Sequence, residues 1–128
     1  MNEPLNCIML IDDDEDDNFF HRIVVEESGL AKSIKISETA VEALEWFQSA
    51  GNLPPELLFL DLNLPKMNGW EFVEELEKLN LSQRPVIIML TTSYSPFDKQ
   101  KAAQFKINGF ETKPLDKEKL NAVIKNFF

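Results

Sequence analysis

Polar residues suited to phosphoryl chemistry follow several apolar runs in the sequence. Asp12 and Asp13 open six consecutive acids after the first run, and Asp61 follows the run 57–60. Thr91 and Lys113 stand at the ends of two later runs. Since an ionised carboxylate attacks phosphorus without a general base, these groups together predict a phosphoryl-accepting site with Asp61 as the nucleophile.

A divalent cation is expected among these acids. Carboxylates 4 Å apart repel by about 4 kcal/mol per pair at an effective dielectric constant of about 20, and a cation relieves that repulsion. The candidate ligands are hard oxygens without His or Cys, which favours Mg²⁺, with Mn²⁺ as an alternative. We predict ligands from Asp12 and Asp13, directly or through water, from Asp61, and from the Asn63 backbone carbonyl. The acidic run leaves this register open by one residue, toward Asp14.

The remaining groups have separate tasks in this hypothesis. Thr91 is expected to donate a hydrogen bond to a phosphoryl oxygen. Lys113 is expected to pair with the negative charge that gathers on the other groups.

The elements that must position these residues follow from the apolar pattern. Strand-length apolar runs alternate with segments of helical period, which is typical of βα units around a parallel sheet. The predicted strands are 6–11, 33–37, 57–60, 86–91 and 110–112; the predicted helices are 16–28, 39–50, 69–79, one from about Pro96, and 116–127. The residues that follow the strands should therefore meet at one edge of the sheet.

Side-chain burial is predicted from the same periodicity. The first helix is expected to bury Phe19, Phe20, Ile23 and Val24, and to end at Gly29. His21 is interpreted as an ordinary surface histidine. Phe59 and Phe72 belong to the expected core, while the last helices carry the phenylalanines whose burial the pattern leaves open: Phe97, Phe105, Phe127 and Phe128.

Composition bounds the class of protein. The 128 residues are 44% hydrophobic, which suits one domain over 1–128 and leaves no room for a second. A net charge of −9 without a basic cluster argues against nucleic-acid binding. The apolar runs are too short to span a membrane, so a cytoplasmic protein without membrane contact is expected. Cys7 is expected to pack as a small hydrophobe.

The stretch from Leu60 to Gly69, with proline four and glycine eight residues past Asp61, resembles the acceptor loop of bacterial two-component response regulator receiver domains. Ile11-Asp12-Asp13 resembles the acidic pair of that family. Leu90-Thr91-Thr92-Ser93 resembles its strand-four hydroxyl segment, and Lys113-Pro114 its strand-five lysine. The likeness covers essentially the whole chain.

The resemblance implies an α/β, flavodoxin-like receiver fold: a doubly wound, five-stranded parallel sheet in the order 2-1-3-4-5, with five helices. It also implies a cis Lys113–Pro114 bond. The implied function is a stand-alone signalling switch, without an attached output domain, that catalyses only its own phosphorylation and dephosphorylation. A sensor histidine kinase would donate the phosphoryl group, with phytochrome-type kinases among the candidates. A shuttle that passes the phosphoryl group on to a histidine phosphotransfer protein fits equally well. The expected assembly is a monomer or a weak dimer through the last helices.

Two positions depart from the commonest family pattern. Phe110 stands at the aromatic switch position, often Tyr, where it would act with Thr91 but without a hydroxyl. Thr92 is bulkier than the usual residue, and we expect it to narrow access to phospho-Asp61 and slow both transfer and hydrolysis. Unchanged rates in Thr92→Ala would remove that hypothesis.

Two other classes and one structural explanation compete with this interpretation. A hydrolase of the haloacid-dehalogenase kind needs a second aspartate two residues on, where Asn63 cannot shuttle a proton. A flavin-binding module needs hydroxyls and amides after the first strand, where this chain places acids. For Asp14 to Asp17, helix capping and a favourable helix dipole explain the charge without any chemistry.

Overall fold

The computed structural model describes residues 3–49, 51, 54–92 and 94–128, in which five strands alternate with five helices. The elements are β1 (Leu5–Ile11), α1 (Glu15–Ser28), β2 (Ala31–Ser37), α2 (Ala40–Gln48), β3 (Leu57–Leu60), α3 (Gly69–Lys78), β4 (Val86–Thr91), α4 (Pro96–Phe105), β5 (Gly109–Thr112) and α5 (Lys117–Phe127). Each predicted element is present, and the boundaries differ by at most two residues. The predicted last residue of the second helix, Ala50, lies outside the described residues.

The strands form one parallel sheet in the order β2-β1-β3-β4-β5, which confirms the expected topology. Leu60 at the end of β3 pairs in register with Ile11 at the end of β1. Thr91 at the end of β4 pairs with Thr112 at the end of β5. Because all strands run the same way, the residues that follow them lie along one edge of the sheet.

Two apolar layers cover the faces of the sheet. Along β3, Leu58 and Leu60 pack into the layer that includes α2 and α3, whereas Leu57 and Phe59 pack into the layer that includes α1 and α5. This alternation is the two-residue period of a strand. Strands buried on both faces must be apolar throughout, which is why β3 reads as an unbroken apolar run.

Helix α1 presents a different face to the sheet from the one predicted. Phe19 is 66% exposed and Phe20 48% exposed, so their predicted burial is wrong. The buried residues are Asn18, His21 and Val25, and the prediction of a surface histidine is also wrong. Asn18 Nδ2 donates a hydrogen bond to the Asp12 carbonyl at 2.7 Å. This bond ties the start of the helix to the end of β1. It turns the face of the helix that carries residues 18, 21 and 25 toward the sheet.

Burial of His21 predicts a pH-dependent stability. Desolvation, which outweighs the nearby Asp17 charge, lowers the pKa of His21 below its ordinary value of 6.5. The unfolded chain therefore takes up a proton that the folded chain does not. The free energy of unfolding falls as the pH drops below 6.5, the ordinary pKa of histidine. From about pH 7.5 to about pH 5.5, His21→Leu should lose about 1 kcal/mol less unfolding free energy than the wild type. Urea titrations of both proteins measure this difference, and equal losses would contradict it.

Local signals fix the ends of α1 as expected. The Asp14 side chain caps the helix by accepting from the backbone N–H groups of Asp16 and Asp17. Gly29 ends it in the left-handed conformation, at φ 68°, where a side chain would be strained.

The Lys113–Pro114 bond is cis, as the resemblance implied. Among the described residues, every helix is too short or too polar to cross a membrane.

Candidate functional site

Asp61 follows β3 directly and lies at the centre of the polar edge. Its backbone N–H donates to the Ile11 carbonyl at 2.9 Å, which continues the sheet pairing by one residue. Its Oδ1 accepts from the Asn63 N–H at 3.1 Å. Only 9% of the side chain is exposed, so the carboxylate is held by its neighbours rather than by solvent.

Lys113 joins three carboxylates from different elements. Its Nζ lies 2.6 Å from Asp12 Oδ2, 2.8 Å from Asp17 Oδ2 and 3.3 Å from Asp61 Oδ2. Its backbone N–H donates to the Thr91 carbonyl at 2.8 Å, which aligns the lysine with the end of β4. Burial alone would lower the pKa of Lys113, but its hydrogen bonds to Asp12 and Asp17 raise that pKa well above the ordinary value. The ammonium is therefore a fixed positive charge at neutral pH.

Negative charge remains in excess around this lysine. Carboxylate oxygens of Asp12, Asp13 and Asp61 all lie within 4.8 Å of one another. Burial outweighs the hydrogen bonds from Lys113 and from the Asp14 N–H and raises the pKa of Asp12, and the Asp61 charge acts in the same direction. A group of oxygen donors with surplus negative charge fits a small, hard divalent cation. Asp14 is engaged as the cap of α1, so the grouping favours the Asp12–Asp13 register.

Thr91 and Thr92 end β4 with different exposure. Thr91 is fully buried at the polar edge, whereas Thr92 is exposed. The predicted backbone ligand, Asn63, is exposed in the loop after β3. The structure thus brings Asp12, Asp61, Thr91 and Lys113 together at one edge of the sheet, while their individual roles remain predictions.

Phe110 lies on β5 within an aromatic cluster. Its ring stacks on Tyr94 with centroids 4.7 Å apart and meets Trp70 edge-on at 6.2 Å. Trp70 also contacts Phe105 at 5.4 Å. Neither Tyr94 nor Trp70 was predicted from the sequence to contact Phe110. The sequence signals that could have found them are their positions, since Tyr94 lies just after β4 and Trp70 lies at the start of α3.

Asp17 is a third residue whose contact could not be predicted from the sequence. It was grouped with the capping acids, but its side chain reaches Lys113 instead. Asp17 lies in the first turn of α1, and that its side chain reaches the sheet edge becomes apparent only once the rotation of the helix is known.

Gly69 closes the loop that carries Asp61. Its N–H donates to the Leu62 carbonyl at 3.1 Å, and a Cβ there would lie 3.0 Å from the Asp61 carbonyl oxygen and 3.1 Å from Leu62 Cα. Both atoms are backbone, so the loop itself would have to move to admit a side chain.

Gly69→Ala is therefore expected to displace the Asp61 segment and to slow the phosphorylation predicted for Asp61 about tenfold, since small misplacements of reacting groups are costly. The rate of mass gain with acetyl phosphate measures this effect. Gly109→Ala is the matched control, because its Cβ meets only the flexible end of Ile88 at 3.4 Å. Equal rates in the two variants would contradict the close approach of Gly69 to the backbone of Asp61 and Leu62.

The fold and the site together define a small α/β domain with an acidic, lysine-containing edge. The chain matches the family model of the response regulator receiver domain over residues 8–125, and it belongs to that family. The match confirms the resemblance found in the sequence.

Individual relatives agree with this assignment. Response regulator Rcp1 of Synechocystis sp. is 28% identical over 116 residues, which cover 88% of this chain and 79% of the relative. A two-component response regulator from Legionella pneumophila has a TM-score of 0.79 at 29% identity, covering 94% of this chain and 96% of that one. The bacteriophytochrome response regulator RtBRR has a TM-score of 0.80 at 26% identity, covering 95% and 77%. The chain spans only 43% to 63% of the length of three other curated relatives.

Proposed function

We propose that this protein is the phosphoryl-accepting switch of a two-component phosphorelay, with Asp61 as the residue that is modified. The observation that carries the proposal is the convergence of Asp12 and Asp61 on Lys113 Nζ, at 2.6 and 3.3 Å. A buried carboxylate beside a permanent cation and other acids suits charge neutralisation during phosphoryl transfer. Family membership supports the same function.

Asp12, Asp13 and Asp61, with the Asn63 backbone carbonyl, would hold Mg²⁺, and Mn²⁺ would substitute for it. When bound, the ion supplies positive charge to the carboxylates and to the phosphoryl oxygens. The residues fit such an ion because three carboxylates gather within 4.8 Å of one another. The chain itself supplies the attacking oxygen and the lysine.

Thr91 and Lys113 would hold the transferred group. The Thr91 hydroxyl donates to a phosphoryl oxygen, and the Lys113 ammonium pairs with another. A movement of Thr91 would change the packing of Phe110, whose ring contacts Tyr94 and Trp70. Thr92, exposed beside this site, would restrict access to phospho-Asp61.

A sensor histidine kinase is the proposed donor. Likeness to a bacteriophytochrome response regulator favours a phytochrome-type kinase as a candidate. Transfer to a histidine phosphotransfer protein is the second route. We place the switch in the cytoplasm, as a monomer or as a weak dimer through the last helices, where Phe97 is exposed.

Incubation with acetyl phosphate, read by intact mass, tests the function without knowledge of the kinase. We expect a gain of one phosphoryl group with Mg²⁺ or Mn²⁺ and no gain in EDTA. A protein that gains no mass under any of these conditions, or gains it equally in EDTA, would contradict the proposal.

A further inference from the structure

Asp17 competes with Asp61 for the same ammonium. Asp17 Oδ2 lies 2.8 Å from Lys113 Nζ, whereas Asp61 Oδ2 lies 3.3 Å from it. The ammonium of a lysine has three N–H donors, and here it lies against three carboxylates, those of Asp12, Asp17 and Asp61. A phosphoryl oxygen can therefore come close to this ammonium only if one of these three contacts lengthens.

A phosphoryl group on Asp61 brings such acceptors, together with more negative charge. The bond to Asp12 is the shortest at 2.6 Å, and that side chain is only 6% exposed. Asp17 is 38% exposed, so water can replace Lys113 as its partner at small cost. Asp17 is therefore the partner that yields when Lys113 turns toward the phosphoryl group.

We propose that Asp17 is a positioning residue that anchors Lys113 toward α1 in the unphosphorylated protein and thereby slows phosphorylation of Asp61. This inference rests on the proposed function of the site. Asp17, one of the six consecutive acids, thereby has a role that is separate from helix capping and from metal binding.

The test compares phosphorylation rates at saturating Mg²⁺ with acetyl phosphate as donor. In this reaction an Asp61 oxygen bonds to phosphorus while the donor P–O bond breaks, and acetate leaves with the electron pair. Asp17→Asn should react about three to five times faster than the wild type, which is the range for losing a partly exposed ion pair. Asp16→Asn removes the same charge from the exposed first turn of α1 and should react at the wild-type rate.

One further variant and one metal-free readout separate positioning from a general change in structure. Asp17→Glu keeps the charge, and its rate should return to near the wild-type value. In EDTA, the ¹⁵N-edited NMR signal of the Lys113 ammonium should be protected from water exchange in the wild type and in Asp16→Asn, and broadened in Asp17→Asn. Unfolding titrations check that every variant is folded.

The outcomes distinguish the two proposals. If the wild type gains no phosphoryl group, the proposed function fails. If the wild type is phosphorylated but Asp17→Asn reacts no faster than Asp16→Asn, or leaves the Lys113 signal unchanged, the anchoring role of Asp17 is wrong and the proposed function stands.

Discussion

Asp61→Asn is expected to remain folded and to gain no phosphoryl group from acetyl phosphate and Mg²⁺. The amide has nearly the shape of the carboxylate, and its oxygen can still accept from the Asn63 N–H, 3.1 Å away in the wild type. An uncharged amide oxygen is too weak a nucleophile to attack phosphorus. Intact mass measures the loss of reaction, and urea unfolding measures whether the fold is kept.

The matched control for this variant is Glu27→Gln, which neutralises an exposed acid of α1. The control should gain one phosphoryl group at the wild-type rate. A full mass gain in Asp61→Asn would mean that another residue is the acceptor.

Lys113→Met should destabilise the metal-free protein by about 3 kcal/mol, because removal of one partner leaves buried charge uncompensated. Asp12 and Asp61 are the acids affected, with side chains only 6% and 9% exposed. Added Mg²⁺ should restore part of this loss, since a cation among the acids replaces the missing positive charge. The free energy of unfolding, measured in EDTA and then in excess Mg²⁺, tests both statements.

Lys117→Met, at an exposed position of α5, controls for the loss of a lysine. Its unfolding free energy should stay close to that of the wild type in both buffers. Should Lys113→Met behave like this control, or gain no stability from Mg²⁺, the lysine would not be the main compensating charge of the acidic edge.

The central sheet could be predicted because its physics is local. Strands β3 and β4 are covered on both faces, so their sequences are almost entirely apolar and stand out from the rest of the chain. Once the strands are parallel, the residues after them must share one edge. That is why Asp61 and Lys113, 52 positions apart, could be paired without coordinates.

The face of α1 could not be predicted from hydrophobicity. The apolar pattern favours burial of Phe19 and Phe20, but the sheet edge requires a polar face on this helix. Asn18 hydrogen-bonds to the Asp12 carbonyl and Asp17 to Lys113, and these contacts fix the rotation of the helix. Long-range polar contacts of this kind leave no periodic signal in the sequence.

The aromatic surroundings of Phe110 were missed for a related reason. Tyr94 precedes α4, whereas Trp70 lies in α3, and they meet the same ring only in the folded protein. Each alone looks like an ordinary aromatic residue of a loop or a helix. Their shared contact with Phe110 depends on the strand order rather than on spacing in the chain.

The most direct measurement is the location of the phosphoryl group itself. Protein phosphorylated with acetyl phosphate and Mg²⁺ is reduced with borohydride, which converts an aspartyl phosphate to homoserine, and the peptides are sequenced by mass spectrometry. We predict homoserine at position 61, with Asp12, Asp13 and Asp17 unchanged. Homoserine at one of those three positions, or a phosphoryl group retained on His21, would contradict the claim that Asp61 is the acceptor.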